Sequence, residues 1–425
     1  MRINLRAWGA IALATILSVG ARSAWAQEAP APGGTQAAPA ANAPPPDPTR
    51  GKWDSFLDPL RDFEDDYVVG TQKSIEDATG IHIGAGIQEA WSWSFNTPPN
   101  STPLKYDNFL TQNNFVPEIG QVRATRPGSG WFIPGFGLTL TMGNTAPRIK
   151  SDWNGDGQIN VGDTFEHNSF DVEEAYLTWT VPDDSPVLKG LSIKGGKFVT
   201  LLGAEVIEPW SNFNMSRSFL FSFAIPFTNT GALVTYPITD KLSITGGPVM
   251  GWDQVPNIGG VTGMGNITWT ATDQITLAAN GIYGPNQPSH LSRKRGVVDL
   301  VATIKPIDPL TISLNYDWGK EDNAGLNGQD AVWQGFAAVL NYNFTDRFSA
   351  AGRGEFFNDF SGARTGVSQR LWEMTGDLKY LITQHLYVQG EFRGDVSNQK
   401  PFQKNTFGFA GDNEVVSMNL TYLFL

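Results

Sequence analysis

Residues 336–357 read FAAVLNYNFTDRFSAAGRGEFF, and residues 373–395 read EMTGDLKYLITQHLYVQGEFRGD. In the first stretch Phe336, Ala338, Leu340, Tyr342 and Phe344 take every second position, with Asn341 and Asn343 between them. Thr345-Asp346-Arg347 makes a turn, and the alternation resumes with Phe348, Ala350 and Phe356 against Ser349, Arg353 and Glu355. The second stretch repeats the plan across the turn Thr383-Gln384-His385. Successive side chains of a strand point to opposite faces, so each stretch is a β-hairpin with one apolar and one polar, charged face.

Run length decides what the two faces meet. Each run spans about 9–12 residues, longer than the usual strand and matched to a tilted membrane-crossing strand. A soluble sandwich also alternates, but on shorter strands. The expected fold is all-β, an antiparallel up-and-down transmembrane β-barrel with lipid outside and water inside. Apart from the N-terminus, no apolar run reaches the roughly 20 residues of a spanning helix. The formal net charge of −12 disfavours nucleic acid as a partner. The absence of cysteine excludes a disulfide framework and thiol-based metal sites.

Residues 1–26 read as a signal peptide: Arg2 and Arg6, the apolar stretch Ala7–Gly20, then Ala24-Trp25-Ala26 as a small-x-small cleavage box. Export together with a barrel implies the bacterial outer membrane. Residues 27–52, rich in Ala and Pro, read as a disordered periplasmic linker. In 53–80, Phe56, Leu57, Leu60, Phe63 and Tyr67 recur at helical spacing and suggest a short amphipathic helix. The barrel is expected over 81–425.

Its first strand is placed at Ile81–Phe95. A weaker one follows at Asn113–Arg123, where Pro117 calls for an edge or a bulge. Further strands are placed at Trp131–Gly143, Phe170–Val181 and Leu191–Val199. From there short turns recur about every 33 to 38 residues, room for two strands and one longer loop. The longer connections are Trp252–Val261, Tyr283–Arg295, Trp318–Val332 and Asn358–Gln369. The count is about 16 strands, the last at Val415–Leu425, closing on the first because lipid tolerates no free edge. A barrel of that size encloses an aqueous channel.

Lys197–Glu205, Asn212–Leu220 and the run Pro226–Leu242, followed by Gly251-Trp252-Asp253, resemble the OmpL-like family of outer-membrane β-barrel porins. The similarity covers roughly residues 131–425 and is densest at 195–253. It implies a pore-forming barrel in the outer membrane. One departure is the C-terminus, Phe424-Leu425, where such barrels usually end on an aromatic residue.

The segment 152–163 stands apart from that resemblance. Asp152, Asn154 and Asp156 fall at positions 1, 3 and 5 of a calcium loop, with Gly157 at the sharp turn. Gln158 supplies a backbone carbonyl, and Asn160 and Asp163 complete the oxygen set. The final ligand is Asp in place of a bidentate Glu, as in dockerin-type loops. The alternative is a turn cluster built from the same residue types. The expected cofactor is calcium, on an outer loop.

Leu201–Ile225 is too long for a turn and carries Glu205, Glu208 and Arg217. It is expected to fold inward and narrow the pore, with these charges setting a transverse field; the alternative is a surface loop capping the rim. Arg353, Glu355, Glu373 and Asp377 are expected to line the pore, together with Lys379, Glu391 and Arg393. The alternative for most of them is a satisfied cross-strand network. The acid excess points to a weak cation preference.

His82, His167, His290 and His385 are scattered, with no nucleophile-and-base grouping, so an enzyme is not expected. The best reading is a porin for passive diffusion of small hydrophilic solutes. The competing one is a structural, receptor or adhesin barrel without an open pore. Expected partners are outer-membrane lipid and lipopolysaccharide, and a further copy of the chain in a homo-oligomer; the run Ser292-Arg293-Lys294-Arg295 reads first as an ordinary solvated loop, with lipopolysaccharide phosphates as the alternative.

Overall fold

The computed structural model describes residues 57, 59–61, 64–100, 103–104, 107–128, 132–152, 169–182, 185, 188–287 and 290–424. The expected signal peptide and linker lie outside the described residues.

Sixteen antiparallel strands form a closed barrel. They are β1 (His82–Ser94), β2 (Asn114–Arg126), β3 (Gly135–Met142), β4 (Phe170–Thr180), β5 (Ser192–Val199), β6 (Thr228–Thr239), β7 (Leu242–Val249) and β8 (Thr262–Thr272). The second half runs β9 (Ile275–Pro285), β10 (Lys294–Ile307), β11 (Leu310–Glu321), β12 (Ala331–Asn343), β13 (Phe348–Asp359), β14 (Gln369–Leu381), β15 (Leu386–Ser397) and β16 (Asp412–Phe424). Each pairs with its neighbours in sequence, and β16 closes on β1 from Ala85↔Phe424 to Ser94↔Val415. Closure pairs every strand edge, the condition for crossing a bilayer without orphaned amides. Connections alternate in length. The turns 240–241, 273–274, 308–309, 344–347 and 382–385 are short, and 95–113, 143–169, 200–227, 250–261 and 398–411 are long. The short set faces the periplasm and the long set faces outward.

The two phases of each strand meet different media, as the alternation predicts. Phe336, Leu340, Met374 and Leu378 are exposed on the outer face, whereas Ala337, Val339, Asn341, Glu373 and Asp377 are buried on the lumen face. Pro117 sits beside a bulge: Gln88 pairs with Ile119 and Glu89 with Pro117, leaving Glu118 unpaired in the ladder. A proline cannot donate to the ladder, so the bulge absorbs it. A second register shift, on β4, turns both Glu173 and Glu174 inward.

Several boundaries differ from the sequence reading. β3 starts at Gly135, after Pro134, because proline has no N–H to donate. β9 to β14 run one to four residues further outward than placed, since ladder pairing continues through polar residues such as Arg295↔Glu321. Before the barrel lies α1 (Gly70–Thr79), ended by Gly80 in the left-handed region at φ 68°. No residue of α1 is buried. This N-terminal region meets the barrel where the Thr383 hydroxyl donates to Glu64 Oε1 at 2.8 Å, in a periplasmic turn.

Ile267, at the middle of β8, is 52% exposed on the lipid face. Ile267→Arg is expected to cost about 2–4 kcal/mol of unfolding free energy, whereas Thr268→Arg, on the lumen face, costs less. Equilibrium unfolding in lipid vesicles measures both.

Candidate pore constriction

Residues 200–227 join β5 to β6 on the outer side and turn back into the lumen. The local fold comes from short-range bonds. Asn212 clamps the bend, its Nδ2 donating to Val206 O at 2.8 Å and its Oδ1 accepting from Val206 N at 2.9 Å. Pro209 opens a one-turn 3-10 helix, Pro209–Ser211. The Trp210 indole lies on Gly86 of β1, where a Cβ would meet it at 2.7 Å.

The connection then bonds to the opposite wall, strand by strand. Gly203 N donates to Asp299 Oδ2 on β10 at 2.9 Å, and Ala204 N to Asn315 Oδ1 on β11 at 3.1 Å. Phe219 N and Leu220 N both donate to the Glu355 carboxylate on β13 at 2.6 Å. Met215 N donates to Asp377 on β14 at 2.9 Å, and Ser216 N to Glu391 on β15 at 3.0 Å. Trp333 Nε1 of β12 donates to Ala224 O at 3.2 Å. Irregular backbone inside a barrel has no ladder partner, and carboxylates serve it well because they only accept.

Arginines fill the remaining positions. Arg353 bridges Glu373 at 2.8 Å and Glu205 at 2.7 Å, and donates to Ser216 O at 2.7 Å. Arg393 pairs with Asp395 at 2.9 Å and donates to Arg217 O at 2.6 Å. Lys379 lies 4.9 Å over the Tyr387 ring. The wall charges Arg353, Glu355, Glu373, Asp377, Glu391 and Arg393 are therefore buried between wall and loop.

Arg217 departs from the expectation of a channel-facing charge. It is 0% exposed, donating to Met215 O at 2.9 Å and Ile207 O at 2.5 Å, with the Phe221 ring 5.6 Å away. It holds the loop's own two limbs together. Glu205 is spent on Arg353 and on Ser218 N. Two wall cations that the sequence reading did not single out remain nearer water. The Arg123 side chain is 44% exposed and lies 3.5 Å from Glu174. Lys194 sits 4.5 Å over the Tyr176 ring. Arg123 shares a lumen row with Glu174, since Arg123 faces Thr139 and Thr139 faces Glu174 across neighbouring strands. Glu208 of the loop acts electrostatically on Arg123.

With this geometry in view, the sequence profile of the beta-barrel porin-2, OmpL-like family matches residues 80–424. The chain belongs to that family. It is a bacterial outer-membrane protein. The fold is similar to the anion-selective porin of Comamonas acidovorans, at TM-score 0.54, 9% identity, 81% of this chain and 99% of that one. Salmonella typhi OmpF in complex with daunomycin gives TM-score 0.56 and 11% identity over 81% of this chain and 97% of that one. In vitro folded OmpT of Vibrio cholerae, in a trimer form, gives TM-score 0.51 and 9% identity over 81% and 98%. No curated protein sequence matches. These are the family and fold of a channel.

Of the calcium-loop residues only Asp152 is described; Asn154, Asp156, Gln158, Asn160 and Asp163 lie outside the described residues. Asp152 is buried, and its backbone bonds to Asp253 O at 2.6 Å and to Val255 N at 2.9 Å. Among the described residues no group of three or more His, Cys, Asp or Glu is placed to hold a metal. In the basic run, Arg295 is paired with Glu321 at 2.6 Å and Lys294 Nζ donates to Leu291 O at 2.8 Å.

Asp253 closes the loop by accepting from Phe227 N at 2.8 Å and Thr228 N at 2.9 Å. Burial pushes its carboxyl up to about 6, against these two hydrogen bonds and the charges of Arg364 and Arg295, which pull it down. The folded chain thus holds the proton more tightly than the unfolded one. The group's contribution is full below about pH 4 and lost as pH rises through about 6, a loss of about 3 kcal/mol. Asp253→Asn keeps an acceptor and removes the titration. Wild-type stability minus variant stability is expected to fall between about pH 4 and 6 and to be flat outside that window, read by unfolding across pH.

Proposed function

We propose that the protein is a diffusion porin for small hydrophilic solutes, in which the 200–227 connection sets the width of the passage. The observation that carries this reading is the chain of hydrogen bonds from the loop to Asp299, Asn315, Glu355, Asp377 and Glu391 on the far wall. A segment fixed there leaves passage on the side where Arg123 and Lys194 stand. In this reading Arg123 and Lys194 oppose Glu208 and Glu174, and the field between them sorts permeants by charge. The net charge of −12 supports a weak cation preference. Outer-membrane lipid, lipopolysaccharide and a homo-oligomer belong to the same proposal, the last supported by the trimer form of OmpT.

Planar-bilayer reversal potentials test the assignment. Arg123→Ala is expected to shift selectivity toward cations and Glu208→Gln toward anions. Arg217→Ala is expected to leave selectivity unchanged while lowering stability by about 2–4 kcal/mol through lost packing and two unbonded carbonyls. Equal potentials in wild type, Arg123→Ala and Glu208→Gln would remove the proposed eyelet. The second reading, a barrel shut by its own loop, is favoured by the burial of Arg353, Glu355 and Glu373 beneath that loop. It predicts no single-channel steps in the wild type.

We also propose that the 152–163 loop binds calcium. Its support is the oxygen spacing, together with the anchored backbone of Asp152 at the loop's first position. Calorimetry is expected to show binding heat for the wild type that Asp156→Ala reduces. The same heat in both, or none in either, contradicts it.

A further inference from the structure

Donors from two strands and the loop converge on one carboxylate of the lumen wall, Asp299 of β10. Asn280 Nδ2 of β9 donates to its Oδ2 at 2.5 Å, and Asn315 Nδ2 of β11 to its Oδ1 at 2.6 Å. Gly203 N of the 200–227 connection adds a third bond, to Oδ2 at 2.9 Å. The side-chain amides are oriented by what lies behind them. The Asn280 carbonyl accepts from Asn266 Nδ2 of β8, and the Asn315 carbonyl accepts from Ala204 N at 3.1 Å. Each of these donors points at Asp299, which only accepts. It is the ionised member of the cluster.

Asp317 of β11 faces Asp299 directly across the ladder. It is 0% exposed, and no N–H or hydroxyl donates to either of its oxygens. Its hydrogen bond is to Asp299. Two carboxyl groups bond to each other only through a proton, since an ionised carboxylate has nothing to donate. Asp299 is already supplied with N–H donors, so the proton belongs to Asp317. The other neighbours offer no cation in its place. On β12 Asp317 faces Gly335, which Leu220 of the loop lies against. The Glu355 carboxylate of β13 adds negative charge, and Arg353 is committed to Glu373 and Glu205. A buried charge without a partner is strongly disfavoured, whereas a neutral acid with one acceptor is not.

We propose that Asp317 is a buried carboxylic acid whose proton latches the first turn of the 200–227 connection to the wall. With the proton in place, Asp299 keeps one charge shared among four donors and holds Gly203. Asn315 stays turned with its carbonyl toward Ala204. Loss of the proton sets two charges face to face across neighbouring strands, where like charges repel. Parting the two carboxylates relieves the repulsion and breaks the bonds to Gly203 and Asn315. The turn is thus fastened at neutral pH and freed as pH rises. A wider passage then follows only from the reading of this connection as the width-setting segment; the latch itself does not rest on it.

The test reads the proton and the turn separately from conduction. Infrared spectra of the full barrel in lipid vesicles at neutral pH are compared with those of Asp317→Asn, whose amide donates to Asp299 and does not titrate. The variant is expected to lose one carboxylic-acid carbonyl band and no carboxylate band. Loss of a carboxylate band overturns the proposal. If Asp317→Asn does not fold, Asp317→Thr gives the same reading, since its hydroxyl also donates and it suits a strand. Amide exchange at Gly203 and Ala204, corrected for its intrinsic dependence on pH, is then followed upward in pH. In the wild type it is expected to speed up as the acid band fades, and in the variant to stay flat. Wild-type exchange that stays flat, or that rises equally in the variant, overturns the latch. A wild type without single-channel steps removes the width-setting reading and alters neither of these results.

Discussion

Backbone amides that leave water must find acceptors, and in this barrel wall carboxylates supply them. The 200–227 connection has no strand to pair with, so its amides at Gly203, Met215, Ser216, Phe219 and Leu220 end on Asp299, Asp377, Glu391 and Glu355. Hydrogen bonds to an ionised acceptor are about twice as strong as neutral ones, which suits a segment with little regular structure of its own. The cost is a crowd of buried negative charge. Arg353 and Arg393 offset part of it by bridging wall to loop. The path of the loop and the charges of the wall are thus one solution to one constraint.

The bilayer imposes the same accounting on the outside. Strands close so that no amide faces lipid, and the outward phase carries only what lipid accepts. The lumen phase is then free to hold acids, amides and arginines in rows. Functional chemistry and loop anchoring share those rows, and this is why so few wall charges still meet water.

Much of the barrel was legible in the alternation. A period of two sustained over long runs is a local property, and short polar turns mark each reversal, so strand number and inside-outside phase followed from residues such as Phe336, Ala337, Leu378 and Asp377. Strand ends were less legible, because pairing carries past the last apolar residue, as at Arg295 and Glu321. The loop's inward path was inferred from its length, but the role of each charge was not. Arg217 reads as a channel charge by type, yet its partners are the carbonyls of Met215 and Ile207, a contact set by tertiary folding. Arg123 was passed over because its strand was ended there, although its row with Thr139 and Glu174 faces inward.

The 200–227 connection is tied to the far wall through its own amides. Hydrogen–deuterium exchange on the folded barrel reads those amides directly. Exchange at Met215, Ser216, Phe219 and Leu220 is expected to be as slow as in the neighbouring strands. Exchange at the rate of an open surface loop would contradict it.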